Sequence, residues 1–488
     1  MKTSTQTTDE PTVLRESIHV DTARMRTKYS SLVQHLLQEC RNSKHSQLGN
    51  TRWDDSLVLL NRLFPSDRDI PIARIGSISP MADDIDVFYT TEDDMENLME
   101  EGFVLHKPTV VRSPRLRERG LGLDQFLETL GDHFGGGTVD VQDPSTTHKS
   151  PVSLPVYEVI DRIRDGTDLE AGRLPINLLN LKYAGQAPPA PAFLNLRRFG
   201  VLPAISSRLE GDFNGQAIAG KRGHSTVVGS REIDLDRSLT FSLFAQRGSF
   251  TGFHVDSPDG TWVYNEWGLK LWIFATETDD ASMVKFADEG DNWVPDSVVA
   301  IVLEPGDTLI MPPAKIVPHA VLTLSDSRMA GGMFMDAYRI LGSIEKLLWI
   351  ATHPLVSNEP IPLQLLRGWE HLRNRFYAEN HRPGQIRRDL EDPARELELS
   401  MFRLMSEVMH YLQMLIFRGA RRKMYFLVPC YFHEKERARL QTHEHRIRLT
   451  FDFPSLDRKS KSVGILIEHH WHMGMQDGAY DCLARNQD

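Results

Sequence analysis

Residues 250–275 read FTGFHVDSPDGTWVYNEWGLKLWIFA, and residues 298–324 read VVAIVLEPGDTLIMPPAKIVPHAVLTL. From Ser238 to Asp336 the chain is a series of short apolar or alternating runs: LTFSLFA, TWVYNEWG, LKLWIFA, VVAIVLE, DTLIMPP and AVLTLSD. Turns separate them, Pro305-Gly306-Asp307 being one by its chemistry. Several short strands at this spacing predict a β-sandwich or barrel.

Outward from this segment the pattern changes. Residues 1–20 are polar and Thr-rich and read as a disordered leader. Residues 21–237 read as an α/β region supporting the barrel. Within it Leu32, Leu36 and Leu37 share a helix face, VFY (87–89) starts a strand, and Thr91 with Asp94 makes a capping box. Gly102 ends the following helix, FVLHKPTVV resumes extended chain, and Leu123, Phe126, Leu127 and Leu130 stand at helical spacing. Gly135–Gly137 lacks the strand-to-helix setting of a phosphate loop and reads as a helix stop. Residues 186–192 and 211–230 read as loops, the second a lid or insertion. The barrel core is expected over 238–340, and 341–488 reads as mainly helical with terminal strands. A long helix from Asp392-Pro393 to Gly419 carries a broad apolar face, to be packed on the barrel or against a second copy in a homodimer.

Composition narrows the function classes. The chain has 488 residues and a net charge of −11, which disfavours bulk binding to nucleic acid. The RGARRK run at 418–423 reads as a solvated helix end. Its three cysteines, Cys40, Cys430 and Cys482, show no paired spacing, so neither a disulfide framework nor a thiolate zinc module is expected. The N-terminus lacks the apolar core of a signal peptide and no run is long enough for a membrane span. The expectation is an intracellular protein of nucleus or cytoplasm.

The chemistry sits in His254-Val255-Asp256. Residues two apart on a strand face the same way, so both side chains can reach one point. His319, just beyond DTLIMPP and a short loop, supplies a third ligand. Two histidines and one carboxylate on one octahedral face leave positions open, the arrangement of non-haem Fe(II) oxygenases. Zinc accepts the same ligands, and an HxD pair arises often by chance. Three neighbours sharpen the reading. Lys270 lies in an apolar strand and needs an anionic partner, either a bound ligand or a glutamate such as Glu266. Thr251 places a hydroxyl near the same mouth, and Pro312-Pro313 stiffens the approach to His319. The His469-His470-Trp471-His472 cluster has no partner at ligand spacing and reads as surface.

TGFHVD (251–256), GLKLW (268–272) and LEPGDTLIMPP (303–313) followed by Pro318-His319 resemble the jumonji C (JmjC) family of 2-oxoglutarate oxygenases of the cupin superfamily. The likeness covers about residues 240–336. It implies an α+β protein built on a double-stranded β-helix, the cupin/JmjC barrel, with helices packed outside. It implies Fe(II) on His254, Asp256 and His319, with 2-oxoglutarate as cosubstrate and O2 as oxidant. Lys270 would pair with the distal carboxylate of 2-oxoglutarate, Thr251 would donate a hydrogen bond to it, and Tyr264 falls near a further cosubstrate contact. Asp256 together with Thr251 resembles the protein-hydroxylase branch, which implies a protein or peptide substrate. A histone lysine demethylase uses the same chemistry, and a catalytically silent cupin-fold interaction protein is the alternative outside enzymes.

Overall fold

In a computed structural model, the protein is described over residues 29–43, 51–76, 84–112, 122–146, 151–179, 190–203, 239–276 and 278–359, with Leu181, Ile361 and Leu365 as isolated positions. All belong to the first of the chain's two compact units, Met1–Ala420. The leader, the 211–230 segment, the 392–419 helix, the basic run at 418–423, the terminal strands and the His469–His472 cluster lie outside the described residues, as does most of 186–192.

The described chain is a mixed α+β structure around a large sheet. Its strands are β1 (Ile75–Gly76), β2 (Val87–Thr91), β3 (Thr109–Arg112), β4 (Thr138–Gln142), β5 (Val152–Pro155), β6 (Asn177–Leu178), β7 (Thr240–Ala245), β8 (Phe250–His254), β9 (Gly260–Ala275), β10 (Val298–Leu303), β11 (Asp307–Met311) and β12 (His319–Phe334). They pair in the order β1-β2-β3-β11-β9-β12-β7-β6-β4-β5, with β10 added on β9 and β8 on β12. Strands of the N-terminal half thus join the same sheet as those of 240–334.

Two strands organise the rest. TWVYNEWG and LKLWIFA, which pattern alone separates, run on as the single 16-residue β9, and β12 also spans 16 residues. Each serves two sets of neighbours. The first half of β9 pairs with β11 and with the second half of β12, which pairs in turn with β7. The second half of β9 pairs with β10 and with the first half of β12, which pairs with β8. Between the halves stands Gly268, at φ +85°, where a Cβ would come within 2.2 Å of the Asp326 carbonyl oxygen. The β9–β12 register shifts at the same level, between Thr323 and Met329. An added residue at a bulge turns over the facing pattern. Thr261 and Val263 face one way in the first half, and Lys270, Trp272 and Phe274 take up that side in the second.

Helices cover the sheet. A helix over 29–42 (α1) and α2 (Arg52–Leu63) bury Leu36, Leu37, Trp53 and Leu60 in the largest core cluster. Thr51 caps α2 in a reciprocal box with Asp54. On α3 (Glu92–Glu100) Thr91 accepts from the Asp94 N–H at 3.2 Å, so the expected cap forms on that side. α4 (Leu123–Phe134) stops at Gly135 with φ +53° and packs with α5 (Val156–Asp165) in a second cluster around Phe126 and Phe244. α6 (Asp280–Glu289) follows β9, and α7 (Ile340–Thr352) follows β12. No helix among the described residues is long and apolar enough to cross a membrane.

Candidate metal centre

His254 ends β8 and His319 begins β12, and the two are paired across the strands. Directly opposed residues point to one side of a sheet. Their rings lie 4.3 Å apart between centroids, and Asp256 Oδ1 stands 3.9 Å from His254 Nε2 and 3.6 Å from His319 Nε2. One ligand atom from each of the three falls within 4.8 Å of the others. The group can hold a metal ion.

The protonation states suit that role. Nδ1 of His254 lies 2.9 Å from the Gly252 carbonyl oxygen, and Nδ1 of His319 lies 3.0 Å from that of Val317. Each Nδ1–H donates to backbone and leaves Nε2 as a lone pair turned toward Asp256. His319 is fully buried, and burial, with the His254 imidazole close beside it, pushes its pKa down to about 4. It is therefore neutral at physiological pH. Burial works to raise the Asp256 carboxyl, but His319, His254, Thr261 and Lys346 together hold it below the ordinary range. His319 Nε2 and Asp256 Oδ2 are buried without a hydrogen-bond partner. Unpaired buried acceptors at the meeting point of three ligands fit a cation better than they fit an empty core.

The strands then set out successive rows on the same face. His254, His319 and Phe274 form the first, and Thr251, Val321 and Trp272 the second. Thr251 and His254 are an odd number of residues apart and would face opposite ways in an unbroken strand. A bulge between His319 and Val321 restores both to the same side. Trp272 stacks on His319 at 5.2 Å. Two residues further, Lys270 is paired with Thr323, and both are buried. Burial alone pushes the Lys270 ammonium down to about 8; among the described residues it has no ion pair. Glu266, the internal alternative, is taken by Arg328 at 3.2 Å.

No family model matches the chain. A curated relative is the "KK-1 biosynthesis cluster protein D" of Curvularia clavata, 27% identical over 292 residues. That match covers 59% of this chain and 28% of the relative's length, so the chain spans under a third of that protein.

Tyr264 stands elsewhere. It shares with Trp262 the opposite face of β9 from Thr261, in a cluster with Met95, Phe193, Phe199 and Phe334. Sequence reasoning also missed a set of polar residues behind the ligands: Asp259, Ser343 and Lys346, all buried. The available signal resembles the one at Lys270, a lysine and a serine at helical spacing inside the apolar run ILGSIEKLLWIAT.

Proposed function

We propose that this chain is an Fe(II)- and 2-oxoglutarate-dependent dioxygenase of the JmjC type, with its two strand sets folded as a double-stranded β-helix. The observation that carries the reading is Lys270, a buried ammonium with no acidic partner among the described residues, on the same face as a His-Asp-His group that could hold a metal. Four residues of β12, about 13 Å of strand, separate the Thr323 row from His319. The lysine stem and the imidazole both shorten that gap, and a short dicarboxylate is the right size for what remains. Bound iron and cosubstrate would supply oxygen activation and oxidation of a substrate C–H bond.

The chain's own residues do the rest. His254, Asp256 and His319 would hold the metal, three ligands being few enough to leave room for cosubstrate. The Gly252 and Val317 carbonyls fix both imidazoles in the tautomer that presents Nε2. Lys270 would pair with the distal carboxylate of the cosubstrate, Thr251 would donate its hydroxyl, and Trp272 with its apolar neighbours would keep water from the charged end. The intact ligand set and Lys270 favour an enzyme over a silent scaffold.

The substrate reading from sequence is a protein or peptide to be hydroxylated. The relative's name favours a second one, a tailoring oxidation on the product of a biosynthetic gene cluster. Incubating the full chain with Fe(II), 2-oxoglutarate and O2, and following succinate, tests the activity. Succinate that depends on iron and disappears in His254→Ala supports the assignment; no succinate from wild type with or without added substrates contradicts it. A peptide library and a mixture of small-molecule natural products, each read by mass gain, separate the two substrate classes. Formaldehyde release marks demethylation instead.

A further inference from the structure

We propose that Asp259 is a positioning residue, one carboxylate that clamps the two ligand-bearing loops to α7 and so sets the geometry of the metal centre; this rests on the metal-centre reading above. Asp259 is fully buried and lies three residues past Asp256. Its Oδ1 accepts the N–H of Ala314 at 2.7 Å, in the loop that leads to His319. Its Oδ2 accepts the Ser343 hydroxyl of α7. Lys346, one turn further along α7, donates to the Asp259 backbone oxygen at 2.7 Å and stands 3.9 Å from Oδ1. The side chain therefore holds three segments at once, and no other described residue is shown to join both ligand loops to α7.

Two features of the clamped loop say that the hold is needed. Ala314 is the non-glycine residue with positive φ among the described residues, at 59°. An alanine stays in that region only where its surroundings over-determine it. Facing it on α7 is Gly342, where a Cβ would lie 2.8 Å from the Ala314 Cβ. The helix approaches the loop as closely as a missing side chain permits, and Asp259 ties the two together. Released, Ala314 would relax toward ordinary backbone and carry the His319 approach with it.

The test uses the full chain and Co(II) alone, followed by visible absorption. Asp259→Asn, which keeps the side chain's shape and loses its charge, is expected to weaken Co(II) binding about tenfold and to alter the ligand-field bands. Ser343→Ala removes one hydroxyl and is expected to weaken binding about threefold. Val159→Ala, in the separate cluster around Phe126, serves as the control that lowers Tm and leaves Co(II) affinity and spectrum unchanged. Wild-type affinity and bands in folded Asp259→Asn and Ser343→Ala overturn the clamp. So does a loss no larger than the control's at equal Tm. Should Asp259→Asn fail to fold, Ser343→Ala decides alone. Wild type that takes up no Co(II) removes the metal centre itself and the clamp with it.

Discussion

Lys270 and Lys346 are equally buried, each 5% exposed, and their circumstances are opposite. Lys346 lies beside Asp259, bonded to its backbone oxygen and close to its carboxylate. Lys270 sits between Leu269 and Leu271 on β9, and no described carboxylate pairs with it. Burying a cation with a partner builds a fixed structure; burying one without leaves a site that an anion from outside can complete. Both lysines lie near the same His-Asp-His group, one tied into the scaffold and the other with no acidic partner among the described residues.

That contrast first requires the metal. Replacing His254 or Asp256 with Ala removes one donor from an already open site, so metal binding and succinate formation are both expected to disappear while the far-UV spectrum stays native. Retained Fe(II) binding and turnover in either variant would end the comparison, since neither lysine would then border a metal site.

Next in size is stability of the metal-free chain. Lys346→Met removes the ammonium that offsets the burial of Asp259, whose carboxyl burial already pushes up, and is expected to destabilise by up to roughly 3–5 kcal/mol. Lys270→Met removes an ammonium that burial holds at about 8 rather than 10.5, a penalty of up to about 3 kcal/mol near neutral pH. It is expected to stabilise. Urea titrations of both variants measure this, and shifts of the same sign would erase the distinction between a partnered and an unpartnered lysine.

A smaller effect is graded by pH. The free Lys270 amine is protonated below about pH 8 and neutral above it. On the proposed function a dicarboxylate would bind the ammonium, so above that value binding would first have to draw a proton onto the amine. Affinity for 2-oxoglutarate is therefore expected to be level from pH 6 to 7 and to fall by up to tenfold per unit above about 8. Calorimetry across that range, with the metal held constant, would show a flat profile if the lysine did not contact the cosubstrate.

Much of this was legible in the residues. His254, Asp256 and His319 could be grouped because period-two facing and a strand-loop-histidine pattern are local properties. Lys270 was legible because a lone lysine in LKLWIFA conflicts with its surroundings. The length of β9 was not, because Gly268 reads as a turn in sequence and here bends a strand that continues. Tyr264 is a cosubstrate contact only by the family resemblance; the register shift near Gly268 turns over the facing of β9, and Tyr264 packs in the cluster around Trp262 and Phe334. Asp259, Ser343 and Lys346 escaped because their meeting depends on how α7 folds back on two loops, which no spacing encodes.

The most direct test of the account is calorimetric titration of 2-oxoglutarate into wild type and Lys270→Ala, each loaded with Mn(II) in place of iron. Removing the ammonium strands a buried carboxylate, a loss of roughly 3–5 kcal/mol, or about two to three and a half decades of affinity. Mn(II) binding itself should change little, because Lys270 is not a ligand. Near-wild-type affinity for 2-oxoglutarate in Lys270→Ala would contradict the account and leave a metal-binding protein whose buried lysine serves something else.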